Sequence, residues 1–212
     1  MKTENIQKIL VIMLGGIGNL IMLRPALRHL RQIFSDSEII LLTAEPKVEE
    51  IIAAEQLIDE VILFDRREQQ SFLSKMRFLQ SMRKQKFDLA FVSSGTNAWK
   101  GSLTTFFMGI PHRVGEDIDG KGVFYTIKRN CQSEETHEID GALALIEAMG
   151  LEFLHSLPPL KVFPKDEEVV KDFLNEWGIK DKRSNFIGIH AGSGYKQTFK
   201  RWPIDRFARL AE

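Results

Sequence analysis

The sequence is poor in the features that mark several protein classes. Its 212 residues include one cysteine, Cys131, so no internal disulfide can form, and a reducing compartment is the expectation. No run approaches the ~18 uninterrupted apolar residues of a membrane span. The opening, Met1 to Lys8, is polar, and the apolar run behind it meets glycines after Leu14, which does not fit a secretion leader. A cytoplasmic protein is therefore expected, with peripheral attachment to a membrane surface left open. Charge of one sign is also missing: 29 Lys and Arg balance 29 Asp and Glu, which removes a simple electrostatic case for nucleic acid. His29, His112, His137, His155 and His190 show no metal-ligand spacing, and with a single cysteine no zinc site is expected. No Walker pattern is present.

What the sequence does contain is an alternation of strand-length apolar runs with stretches of helical period. Strands are expected at Lys8–Leu14, Glu38–Thr43, Glu60–Asp65 and Phe87–Ser93. Helices are expected from about Asn19 to Phe34, at Pro46–Glu55 and at Ser71–Gln85, the last with Phe72, Met76, Leu79 and Met82 as its inner face. This alternation indicates an α/β fold with a parallel sheet covered on both faces, whose ligands bind at the carboxyl ends of the strands. The stretch Thr96–Asn130 is less regular. It holds an apolar patch (Leu103, Phe106, Phe107, Met108), read mainly as core, and short strand candidates at Arg113–Gly115 and Val123–Lys128. Helices follow at His137–Gly150, with a glycine cap, and at Asp166–Trp177. The charged stretch Lys180–Ser184 reads as a linker. After it the pattern restarts, with a strand at Asn185–His190, a Gly/Ser loop and a helix from Pro203. A lone strand and helix cannot bury their own apolar faces. The expectation is one domain, residues 1–180, followed by the opening strand–helix unit of a second, incomplete domain at 181–212.

Two loops could carry chemistry. Gly15, Gly16 and Gly18 with Asn19 form a turn between the first strand and its helix, where backbone N–H groups can approach a ligand or Asn19 can simply cap the helix. This is not a dinucleotide fingerprint, because Ile21 stands where a small residue is needed; Asp36 and Glu38 are the acidic residues at ribose spacing. The second loop, Gly192-Ser193-Gly194, is followed by Lys200-Arg201-Trp202-Pro203 at a helix start. This combination suits an anion such as a phosphate, the alternative being a glycine turn with a solvated basic pair. Cys131 is read as a packing residue. Arg66-Arg67 and Arg83-Lys84-Gln85-Lys86 are read as solvated faces or as contacts for an anionic acceptor or membrane lipid.

The opening KILVIMLGGIGNLIMLRPALRHLRQIF with EIILLT, the segments GIPHRVGEDIDGKG and HEIDGALALIEAMGL, and the closing HAGSGYKQTFKRWPIDRFARLAE together resemble the ADP-heptose:lipopolysaccharide heptosyltransferases of glycosyltransferase family 9. The resemblance implies a GT-B fold, two Rossmann-like domains, with the acceptor on the N-terminal side and the nucleotide-sugar on the other. It implies inverting transfer of heptose or a related sugar from ADP-heptose to a lipopolysaccharide-core or other cell-envelope acceptor, at the inner face of the cytoplasmic membrane. No cofactor or metal ion is implied. Lys200 resembles the diphosphate-binding lysine, with Gly192, Ser193 and Gly194 beside it, while Gly15, Gly16 and Gly18 form the acceptor-side loop. Asn19 stands where the family has the aspartate taken as the base, and a carboxamide cannot accept a proton at neutral pH. Asp117 and Asp119 are candidate substitutes. A non-catalytic glycolipid- or partner-binding module and a GT-B sugar-nucleotide epimerase are the alternatives. The 212-residue chain alone is expected to be inactive as a transferase.

Overall fold

The computed structural model describes residues 5–65, 67–68, 71–131, 137–152, 159–179, 187–193 and 198–211. The chain divides into two compact units, residues 1–161 and 162–212.

The first unit is built on six parallel strands: β1 (Lys8–Met13), β2 (Glu38–Thr43), β3 (Glu60–Leu63), β4 (Leu89–Val92), β5 (His112–Ile118) and β6 (Ile127–Cys131). Their order in the sheet is β3-β2-β1-β4-β5-β6. The helices are α1 (Ile17–Ile33), α2 (Val48–Ile52, continued as a 3-10 turn over Ala53–Glu55), α3 (Phe72–Lys84), α4 (Ala98–Phe107) and α5 (Glu138–Ala148). Because successive strand side chains point to opposite faces, each central strand feeds two cores. Ile9, Val11 and Met13 of β1, with Ile39 and Leu41 of β2 and Leu89 and Phe91 of β4, pack under α1, α2 and α5. Leu10, Ile12, Ile40, Leu42, Ala90 and Val92 face the other way, toward Phe78, Leu79 and Met82 of α3 and toward Met108, Ile110 and Tyr125. The sheet is thus a middle layer with helices on both sides, as the continuous apolar runs of β1 and β2 predict.

In the first unit, several sequence-based assignments change. The inner face of α3 is Phe78, Leu79 and Met82; Phe72 is 75% exposed and Met76 44% exposed, because the packed stripe lies nearer the C-terminal half of the helix. Residues 98–107, expected to be irregular, form α4, capped by the Asn97 side chain accepting from Lys100 N at 3.0 Å. Of the apolar patch, which falls on the C-terminal half of α4 and its cap, Met108 is core, whereas Phe106 and Phe107 are about half exposed, Phe106 lying against Phe124 and the Arg113 guanidinium. The last strand begins at Ile127 rather than Val123. Residues 119–126 must carry the chain back to the start of β5, so Asp119 and Gly120 turn at positive φ and Tyr125 is buried against the sheet.

The second unit contains α6 (Pro164–Glu176), a 3-10 turn at Thr198–Lys200 and α7 (Ile204–Ala211). Of the expected strand Asn185–His190, residues 187–190 pair with no strand among the described residues, and Ile187 is 90% exposed; a strand forms only against a hydrogen-bonding neighbour. Residues 180–186, which include the linker and the first two residues of that expected strand, lie outside the described residues. Among the described residues no helix is long and apolar enough to cross a membrane.

A buried ionic clamp ties α1 to the segment after α2. Glu55 Oε1 accepts from Arg24, while Oε2 accepts from Arg28 Nε at 3.1 Å; Lys161 N also donates to Oε1. Burial alone would raise the Glu55 carboxyl, but the two arginine hydrogen bonds outweigh it and hold the carboxyl below the usual glutamate value. Its stabilisation is therefore present above the ordinary glutamate range, near pH ~4.3, and is lost as pH falls through the lowered folded value. Glu55→Gln leaves Arg24 buried without its counter-charge. Chemical denaturation at pH 7 should show a loss of about 3–5 kcal/mol, and the gap from wild type should close in acid.

Candidate active site

The strand order reverses between β1 and β4, so the chain leaves β1 for α1 on one face of the sheet and leaves β4 for α4 on the other. The two loops part at the carboxyl edge and leave a crevice, the position where open parallel sheets bind ligands. It encloses about 740 Å³ and is lined by Gly15 and Asn19, by Ser93 to Asn97, and by Phe64, Phe78 and Trp99. Lys75 and Lys100 also border it, both exposed, with no side-chain partner among the described residues. A second hollow of about 500 Å³ shares Ser94–Asn97 and adds Glu116, Lys121, Cys131 and Glu138.

Asn19 is not the N-cap of α1, which is Gly16; it stands in the first turn of the helix, and its side chain reaches back to the loop before it. Gly16 N donates to Asn19 Oδ1 at 3.2 Å, and Asn19 Nδ2 donates to Glu138 Oε2 at 2.6 Å. A Cβ on Gly15 would stand 2.5 Å from Asn19 Oδ1, so this close approach requires glycine. Gly95 on the opposite rim has φ +77°, and a Cβ there would lie 3.2 Å from Glu138 Oε1. Glu138 itself is the first residue of α5, placed by a helix that packs against α1.

The other sequence candidates are distributed differently. Gly15 and Asn19 line the crevice; the glycine turn is shorter than expected, because Gly16 is the N-cap residue of α1 and the exposed Gly18 already lies in its first turn. Asp117 is a structural group: Lys128 Nζ and Gly122 N each donate to it at 2.7 Å, which holds its carboxyl below the usual aspartate range. Asp119 sits in the exposed turn beside Lys121. Neither lines the crevice. Asp36 precedes β2 and Glu38 opens it, paired with Lys8 at 3.0 Å, at the end of the strand opposite to the ligand edge. Cys131 is half-buried, and burial and Glu116 push its thiol up, consistent with packing rather than nucleophilic chemistry. Among the described residues no cluster of His, Cys, Asp and Glu could hold a metal ion.

In the second unit, Arg201 Nε donates to Ser193 Oγ at 3.0 Å, and Arg201 also reaches the Ser193 carbonyl oxygen, tying the loop to the residue that follows Lys200. Lys200 is exposed beside the Phe199 ring. Gly194 lies outside the described residues.

Sequence reasoning missed Glu138, Glu116 and Ser94. Ser94 Oγ and Arg129 Nη1 both donate to Glu116 Oε1 at 3.1 Å. The one local clue was Glu138 directly after His137 at a helix start; its partner is 119 positions away. Gly15→Ala should displace the Asn19 amide from Glu138. The Asn19 side-chain NH₂ resonances should shift by NMR, with a stability loss of no more than about 1 kcal/mol, as for other exposed sites.

The chain resembles several solved structures. It aligns with E. coli ADP-heptose lipopolysaccharide heptosyltransferase II over 97% of its length at 22% identity, TM-score 0.67. It aligns with a family 9 glycosyltransferase from Veillonella parvula, also over 97%, at 20% identity and TM-score 0.68. E. coli heptosyltransferase WaaC with ADP-2-deoxy-2-fluoro heptose matches over 71% of this chain and 50% of its own, at 14% identity and TM-score 0.55. The chain spans 60% and 58% of the first two structures, and these likenesses establish a GT-B-like α/β fold. Comparison with curated protein sequences gives no match. The family model described as "Glycosyltransferase family 9 (heptosyltransferase)" matches residues 75–212, about two thirds of the sequence, and the chain belongs to that family.

Proposed function

We propose that the protein transfers heptose or a related sugar from an ADP-sugar to a lipopolysaccharide-core or other cell-envelope acceptor, with inversion at the anomeric carbon. The observation that carries this reading is the crevice at the β1–β4 reversal, in a chain of the heptosyltransferase family. Residues to about 180 form the acceptor side, and 181–212 open the donor side. Lys75 and Lys100, both without side-chain partners among the described residues, suit an acceptor bearing anionic groups, while Phe64, Phe78 and Trp99 offer apolar contact. Such an acceptor, carried on a lipid, draws the protein to the inner membrane surface.

On the donor side, Lys200 and the Gly192-Ser193 loop meet the diphosphate. Arg201 steadies the loop through Ser193, so the Lys200 ammonium is left to the leaving oxygens. Charge stabilisation by this cation serves where a metal ion would otherwise act, and the transfer needs no cofactor.

The test is ADP release from ADP-heptose by the full-length protein, with and without a lipopolysaccharide-core acceptor. Acceptor-dependent release is expected. Consumption of donor without acceptor would favour an epimerase, and acceptor binding with no turnover a binding module. Lys200→Ala should raise the donor KM about 10- to 100-fold, matching the 1.5–3 kcal/mol of a hydrogen bond to a charged group, with acceptor KM unchanged.

A further inference from the structure

Sugar transfer to a hydroxyl needs a group that takes the hydroxyl proton as the new bond forms. The residues lining the crevice and the hollow beside it include two carboxylates, Glu116 and Glu138, and no histidine. Glu116 is already engaged: one of its oxygens takes both the Ser94 hydroxyl and the Arg129 guanidinium. Glu138 has no cationic partner among the described residues. Its Oε2 accepts the single Asn19 amide hydrogen bond at 2.6 Å, its Oε1 lies against Gly95, and the side chain borders the hollow beside the crevice. A carboxylate offers about four lone-pair positions, so capacity remains for a substrate hydroxyl.

The Asn19 amide is specified at both ends. Its oxygen receives the Gly16 N–H and its NH₂ must face the carboxylate, since a carboxylate cannot donate. Asn19 therefore cannot be exchanged for aspartate without setting two carboxylates within hydrogen-bond distance of each other, an arrangement that forces them to share a proton. Asn19 and Glu138 form a matched pair.

Resting on the sugar-transfer reading above, we propose that Glu138 is the general base of the reaction and that Asn19 is its positioning residue. The acceptor O–H proton passes to Glu138 Oε1. The electron pair it leaves forms the bond from the acceptor oxygen to the anomeric carbon of the nucleotide-sugar. The bond from that carbon to the diphosphate oxygen breaks, and its electron pair departs on the diphosphate.

The experiment measures ADP release from ADP-heptose with a lipopolysaccharide-core acceptor, using the full-length protein and three variants: Glu138→Gln, Asn19→Asp, and the two combined. Glu138→Gln keeps the side-chain shape and an oxygen for Asn19. It should lower kcat by about 10²- to 10⁴-fold, with donor KM and thermal midpoint unchanged. Asn19→Asp alone should also be slow. The double variant, which restores one carboxylate and one amide in exchanged positions, should recover at least tenfold of the rate lost in Glu138→Gln. If the wild-type protein turns over and Glu138→Gln stays within about threefold of it, the assignment of Glu138 is overturned while sugar transfer stands. A slow Glu138→Gln variant with a lowered thermal midpoint and no recovery in the double variant also overturns it, in favour of a structural role. If the wild-type protein itself releases no ADP, the sugar-transfer reading fails and the assignment falls with it.

Discussion

The pairing of β1 with β2 on one side and β4 on the other is the constraint on which the rest of the first unit depends. β1 lies at the middle of the sheet, and its residues from Ile9 to Met13 are at most 3% exposed. Both faces must therefore be covered, and α1 with α5 covers one while α3 and α4 cover the other. The connections after β1 and β4 consequently leave in opposite directions. That divergence opens the crevice and places Asn19, on the first turn of α1, beside Glu138, on the first turn of α5. Apolar burial thus determines where two polar side chains meet. Each residue sits at the amino end of a helix anchored in the same core.

Much of this was legible from residues alone. β2 runs Glu38–Thr43 as expected, β1 ends one residue before the expected Leu14, and the helix behind the glycine loop starts at Ile17. Continuous apolar runs identify doubly covered strands because no polar alternation is needed when neither face meets water. α4 was hidden for a physical reason: Gly101, Ser102, Thr104 and Thr105 are weak helix formers, and the helix is retained by its Asn97 cap and by packing. Gly101 faces Val92 and the Tyr125 hydroxyl, and Ser102 and Thr105 are fully buried. The return loop before β6 resembles a strand in sequence because Val123 and Tyr125 have strand-like side chains, yet the paired strand starts only at Ile127.

The candidate site was only half legible. The glycine loop and Asn19 stand out because glycines before a helix have a mechanical meaning. Glu138 does not, since a carboxylate in the first turn of a helix is ordinarily a favourable end charge. Only the fold distinguishes it, by closing 119 positions of sequence into one hydrogen bond. Asp117 shows the converse: it looked available in sequence, but its oxygens are consumed by Lys128 and the Gly122 amide. Arg201 likewise gains its meaning in space, as the residue that holds Ser193 while the neighbouring Lys200 remains exposed.

The most direct measurement is a crystal structure of the full-length protein with ADP and a lipopolysaccharide-core acceptor bound. The reacting acceptor hydroxyl should lie within hydrogen-bond reach of Glu138 Oε1, about 2.6–3.2 Å, with Asn19 still donating to Oε2. A reacting hydroxyl bound away from both the β1–β4 crevice and the adjoining hollow that Glu138 borders, or a Glu138 carboxylate turned away from it, would contradict the assignment of Glu138 as the group that removes the proton.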